Sequence, residues 1–195
     1  MIDDLGLLVS RLALGLAVAS HGAQKAFGAF DGPGPQGAAG AFESFGFRPG
    51  RRYAMAASYT ELGSGLLIAL GLGGPLGPAG AISTMYVAAQ SVHAKNGFFA
   101  AKGGVEITVL YGAGALALAS AGYGAFSLDR LLGAESTFRH PAITTLALGG
   151  AFAAAYAILA QRDTGPPSGT LATPTIAGRE RNGSSSSSAP TPAAS

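Results

Sequence analysis

Residues 62–94 read LGSGLLIALGLGGPLGPAGAISTMYVAAQSVHA and contain no Asp, Glu, Lys or Arg. A soluble domain cannot cover its surface across so long an uncharged run. The run is broken at its middle by Gly71-Leu72-Gly73-Gly74-Pro75-Leu76-Gly77-Pro78, a Gly/Pro turn joining two apolar segments. Further uncharged stretches cover 12–24, 107–128 and 141–161. Over all 195 residues only 11% are charged, against roughly 25% in an ordinary soluble domain. A spanning helix needs about 20 mostly apolar residues. The sequence therefore predicts an all-α, polytopic membrane helix bundle with spans at 5–24, 53–72, 79–95, 105–121 and 141–161. Pro141 stands where its missing N–H costs a helix nothing, at the first position of the fifth span.

The same composition excludes other classes. With no cysteine, disulfides, thiolate metal sites and covalently attached c-type haem are ruled out. A net charge of +2 is too small for a nucleic-acid footprint. Residues 162–195, with Pro-Pro and the run Ser184–Ser188, have little to bury and read as a disordered tail. Ala17-Val18-Ala19 resembles a signal-peptide cleavage site, but Asp3 and Asp4 precede it where basic residues belong, so the first segment is expected to stay as a helix. Nine Lys and Arg residues fall in the 25–52 loop, the 95–104 loop and the tail, against Arg130 and Arg139 on the other side. That bias predicts an outside N-terminus and a cytoplasmic C-terminus.

Ionisable residues within spans are costly and default to functional hypotheses. Here they are Arg11, His21, Glu61, His93 and Glu106. His21, Glu61, His93 and Glu106 all fall in the cytoplasmic half. They sit in what looks like a duplicated arrangement, in which a His ends one helix and a Glu arrives on the next. Packing two such hairpins in parallel would bring the four to one polar pocket. Plainer readings stand beside this: His21 and His93 as interfacial side chains, Glu106 as a first-turn acid favoured by the helix dipole, and Glu61 as a packing residue among Gly63, Ser64 and Gly65. Arg11, in the outer half of its helix, is expected to form a structural ion pair with Asp129. The 26–52 loop is long for a hairpin. Phe42, Phe45 and Phe47 in it fit a short interfacial helix, either a lid over a lipid-facing pocket or a simple headgroup anchor. Lys25, Asn96, Phe42 and Phe45 are the candidate substrate contacts.

The order of these motifs resembles the DoxX family of small bacterial membrane proteins. The similar features are Arg11 in a Leu-rich first helix, His21-Gly22-x-x-Lys25-x-Phe27-Gly28, Gly32-Pro33-Gly34 and Glu61. They continue with His93-x-x-Asn96-Gly97-Phe98-Phe99, Gly103-Gly104-x-Glu106 and Ser127-Leu128-Asp129. The resemblance covers about residues 5–132 and implies a four-helix membrane bundle over 1–132, followed by an added loop and fifth transmembrane helix over 133–161. It also implies the bacterial inner membrane and, through similarity to the DoxD subunit of a thiosulfate:quinone oxidoreductase, a place in an oxidoreductase complex. Three functions fit. In the first, a quinone-linked subunit, His21 or His93 would bond the ring and Glu61 or Glu106 would relay protons. Its electrons would come from a partner or bound cofactor, as the chain has no flavin or iron–sulfur motif. The second is a scaffold that docks soluble partners through Arg48, Arg51, Arg52 and the tail. The third is a small-solute or proton-coupled carrier, for which so few helices would call for a homo-oligomer. Haem or a transition metal on the His and Glu residues is a weaker option, since no tight ligand motif supports it.

Overall fold

The computed structural model describes residues 2–163 and residue 165, and every regular element in it is helical. Eight α-helices follow in order: α1 (Ile2–Phe27), α2 (Gly34–Ser44), α3 (Gly50–Leu70), α4 (Leu76–Ala88), α5 (Glu106–Ala121), α6 (Leu128–Leu131), α7 (Glu135–Phe138) and α8 (Pro141–Ala160). The α4 path continues through a π-turn, Ala89–His93, and a 3₁₀ turn, Ala94–Asn96.

Local chemistry sets these boundaries. Asp3 and Asp4 lie in the first turn of α1 and Lys25 in its last, the charge order that the helix dipole favours. Gly71, at φ 66°, ends α3. Its amide bonds Ile68 O at 3.1 Å and the Leu72 amide bonds Leu67 O at 2.9 Å, the paired bonds of a left-handed glycine cap. Pro141 opens α8 behind His140, whose ring nitrogen accepts the Ala142 amide at 3.3 Å.

Helices α1, α3, α4 and α5 close a ring in which each packs on its neighbours, and α8 packs on the outside of α4. The α1–α3 seam is the most extensive. Buried positions on α1 are Arg11, Gly15, Val18, Ala19, Gly22 and Ala26, and on α3 they include Ala54, Ser58, Glu61, Gly65 and Ala69. Small residues at this spacing let two backbones approach closely. A methyl group at Gly15 would collide with the Ala69 backbone, and one at Gly22 with the Leu62 backbone.

Burial is inverted relative to a water-soluble protein. Arg11, Ser58, Glu61, Ser64, Thr108 and Asp129 are buried, while Leu5, Val9, Leu12 and Leu16 form an exposed stripe on α1, and Leu110, Leu146, Phe152 and Tyr156 are exposed on α5 and α8. Large apolar faces outside and polar groups inside belong to a chain whose solvent is hydrocarbon.

The span count is where expectation and structure differ. Of the described helices only α8 is both long and apolar enough to cross a membrane by itself, and α5 is apolar but shorter. The other segments do form helices, at 2–27 and 50–70 and through 76–96. Helix α4 is only 13 residues long before the π-turn, and α3 carries Arg51, Arg52 and Glu61 among its Gly and Ser residues. The first two residues of the predicted tail fall within the described part. Arg162 and Asp163 bond the α2–α3 connection through Phe45 O and Gly46 O. The rest of the predicted tail lies outside the described residues, Gly165 apart.

Candidate functional site

Lys25, on the last turn of α1, and Glu61, in the middle of α3, face each other across the seam and form a direct ion pair. Only 7% of the Glu61 side chain is exposed, against 21% for Lys25, so the ammonium reaches from a wetter rim to a buried carboxylate. Both line a cavity of about 320 Å³ between α3, α4 and α8. Phe42, Phe45 and Tyr53 form its aromatic side, Thr60, Thr84 and Ser91 supply hydroxyl-bearing residues, and His93 and Ile158 complete the wall.

The aromatic residues of the 26–52 loop turn inward. Phe47 is 1% exposed and packs with Val87 and Ala155, and Phe42 and Phe45 border the same cluster. Interfacial anchoring by these rings is therefore corrected. Helix α2 does form, but its aromatic end seals one end of the bundle.

His93 ends the π-turn, a local widening that recurs at functional sites. Its Nδ1 lies 2.7 Å from Gly103 O. A carbonyl can only accept, so Nδ1 carries the proton, and Nε2 of the neutral ring is left as an acceptor. Asn96 Nδ2 donates to the same carbonyl at 3.1 Å. Glu106 accepts the Ala100 amide at 2.8 Å, and its own amide donates to Phe98 O at 2.8 Å. Asn96 and Glu106 thus shape the 97–105 loop and do not line the cavity. His21 is exposed on α1, and its ring packs against Tyr111 with centroids 5.9 Å apart.

The expected four-residue pocket is consequently split. Glu61 and His93 share the cavity with Lys25, Phe42 and Phe45, whereas His21 and Glu106 lie elsewhere. The two glutamates are not equivalent, because one pairs with a lysine in the bundle and the other caps a loop. The Arg11–Asp129 pair is also corrected. Arg11 Nη1 donates to Ala69 O at 2.6 Å and Nη2 to Phe126 O. The Asp129 carboxylate instead accepts the Gly73 and Gly74 amides at 2.8 and 2.7 Å. Each charge closes the same corner through backbone groups, because the exposed ends of helices and turns supply partners closer than the opposite side chain.

Three contributors escape sequence reasoning. Arg162 bonds Phe45 O and, through Nη2, Ser91 O at 3.1 Å. Tyr53 donates to Gln161 Oε1 at 2.9 Å, and Ile158 reaches the cavity from α8. The one usable signal is a charge at the C-terminal end of an apolar helix, Arg162, which suits helix-end carbonyls.

Residues 6–94 match the DoxX family model. The chain therefore carries a DoxX domain over that segment. It is a membrane protein whose surroundings are a lipid bilayer, as the inverted burial also requires. Comparison with curated proteins and with solved structures gives no match. The DoxX match contains Lys25, Phe42, Phe45, Glu61 and His93, and thus almost the whole cavity. It is narrower than the resemblance over 5–132, leaving Asn96, Glu106 and Asp129 outside together with α5 and α8. Helix α8 nevertheless closes one side of a pocket otherwise built by the DoxX segment.

Proposed function

We propose that this DoxX protein is a quinone-linked membrane subunit of an oxidoreductase complex, with the Lys25–Glu61 cavity as its quinone headgroup site. The observation that carries this reading is a buried ion pair in the wall of an otherwise apolar, aromatic-sided cavity. Ligand pockets of this kind hold a few placed polar groups in greasy walls. A volume of about 320 Å³ suits a substituted ring whose isoprenoid tail stays in lipid.

In this reading the Lys25 ammonium donates to one quinone oxygen. His93 Nε2 takes the proton from the opposite quinol hydroxyl, or returns it when the quinone is reduced. Glu61 balances the lysine charge and exchanges protons with it. Reduction of a quinone consumes two electrons and two protons, and the electrons come from a partner protein or its cofactor. The chain sits in the bacterial inner membrane, with α1, α3, the α4 path and α5 as a four-helix core and α8 as a fifth crossing. The N-terminus is outside, and the 25–52 and 95–104 loops and the C-terminus are cytoplasmic, following the basic bias.

The test is quinone analysis of a solvent extract from protein purified in mild detergent, with titration of a short-chain ubiquinone analogue into the apo protein. Retained quinone, and binding lost in Lys25→Met and His93→Ala but kept in His21→Ala, supports the reading. A quinone-free preparation that does not bind the analogue refutes it. The basic surface at Arg48, Arg51 and Arg52 would then be tested as a docking site for soluble partners.

A further inference from the structure

A second cavity lies at the other end of the bundle, enclosed by the α3–α4 turn, the end of α5 and the 122–140 connection. Its volume is about 90 Å³ and its polar wall includes Tyr123, Ser127, Asp129, Glu135, Arg139 and Thr144. Val18, Ile68, Ala81 and Ala115, each 0% exposed, belong to one buried core cluster, and this cavity shares no lining residue with the Lys25–Glu61 cavity.

Several of these polar groups already have protein partners. Asp129 holds the Gly73 and Gly74 amides. Ser127 Oγ donates to Gly124 O at 2.8 Å and accepts the Arg130 amide at 3.3 Å. Glu135 is paired with Arg130 at 2.9 Å and Arg139 at 3.5 Å. Tyr123 differs. It is 5% exposed, and among the described residues its hydroxyl has no hydrogen-bond partner. Native structures supply buried polar groups with a protein partner, an ordered water or a ligand. A single water needs about 10–15 Å³ of such space, so this cavity has room for several.

Charge and donor pattern narrow the occupant. Burial, reinforced by the Asp129 carboxylate, holds the Tyr123 phenol above its ordinary range, so it remains a donor. Asp129 keeps unused acceptor positions, since each carboxylate oxygen has more than one. A cation would meet Arg139 in the wall and the buried Arg11 behind it, and an anion would meet Asp129 and Glu135. The group that fits is neutral, accepts one hydrogen bond and donates another.

We propose that this cavity is a binding site for small neutral hydroxyl groups, one of which accepts from Tyr123 and donates to Asp129. Water and the hydroxyls of a small polyol share that chemistry. The site hydrates the corner where Arg11 is anchored and is independent of the quinone reading.

The test is hydroxyl-radical labelling by X-ray pulses of the full chain in lipid nanodiscs, read by mass spectrometry. X-rays generate hydroxyl radicals in place from bound water, whereas a polyol scavenges them, so Tyr123 is expected to label at least tenfold faster than Phe47, which is buried in an apolar cluster. Tyr123→Phe should slow labelling of Phe138, which also lines the cavity, severalfold. Equal rates at Tyr123 and Phe47, or unchanged Phe138 labelling in Tyr123→Phe, overturn the proposal. Added erythritol separates the two sources: selective protection of Tyr123 identifies a polyol site, and fast labelling without protection identifies water.

Discussion

The α1–α3 seam makes a sharp prediction, because the same Gly→Ala change should act in opposite directions at two helical positions. At Gly22 a Cβ would lie 2.6 Å from Ser58 O and 2.9 Å from Leu62 Cα, both backbone atoms. The Leu62 backbone nitrogen is nearer still, and reaching ordinary contact with it at 3.4 Å requires α1 and α3 to part by about 1.0 Å. Backbone cannot swing aside as a flexible side chain can. Overpacking costs about 1–3 kcal/mol, and the gain in helix propensity offsets up to about 1 kcal/mol of it. Gly22→Ala should therefore destabilise the protein by about 1–2 kcal/mol. At Gly63, on α3, a Cβ would meet nothing within 4 Å. Only the propensity gain remains there, and Gly63→Ala should stabilise by up to about 1 kcal/mol. Reversible unfolding in mixed detergent–SDS micelles, followed by circular dichroism, measures both. If Gly22→Ala matches Gly63→Ala to within a few tenths of a kcal/mol, on the order of ordinary surface changes, the tight seam is refuted. Gly22 lies one turn from Lys25, so the same variant should also weaken binding at the cavity.

Three further predictions follow from the buried polar groups. Lys25→Met leaves Glu61 without its partner and should cost about 3 kcal/mol, the low end for a broken buried pair because Lys25 is partly exposed. The double variant Lys25→Met/Glu61→Gln should recover most of that loss in the same unfolding assay, and equal loss in both would mean the pair is not coupled. Tyr123 carries a pH signature: its folded pKa is raised, so the stabilisation is complete below the ordinary phenol value of 10.0 and declines as pH rises above it towards the folded value. Unfolding measured between pH 8 and about 11 should slope downward more in the native chain than in Tyr123→Phe, and parallel slopes would contradict its burial. Arg162→Ala removes two charge-assisted bonds, each worth about 1.5–3 kcal/mol. Hydrogen exchange in the 45–48 peptide should then rise at least tenfold, and an unchanged rate would show that the end of α8 does not hold that connection.

The helices were legible because each leaves a local record. Uncharged runs, the Gly/Pro break at 71–78 and Pro141 place helix positions with little reference to the rest of the chain. Glu61 and Lys25 stood out for the same reason, since charges next to apolar spans are conspicuous. The pairing of Lys25 with Glu61 was not legible. It depends on two helices meeting at a seam whose tightness comes from Gly15, Gly22 and Gly65 together. The supposed equivalence of Glu61 and Glu106 failed because spacing along a chain does not specify direction. Glu106 turns to the Ala100 amide of its own loop, a partner only a few residues away, whereas Glu61 sits mid-helix where its own backbone amides are already used.

The sequence by itself determined that this is a helical chain for an apolar solvent, because 11% charge and its uncharged runs leave too few polar groups to face water. It also carried the DoxX motifs and the residue types of a polar site. Tertiary structure alone decided which polar groups meet. It sent Arg11 and Asp129 to backbone partners, drew Phe42 and Phe45 inward, and brought Ile158 and Arg162 from beyond the DoxX match to close the cavity. Those outcomes rest on interhelical contacts between residues up to 117 positions apart, and no local pattern of apolar and polar residues encodes contacts at that range.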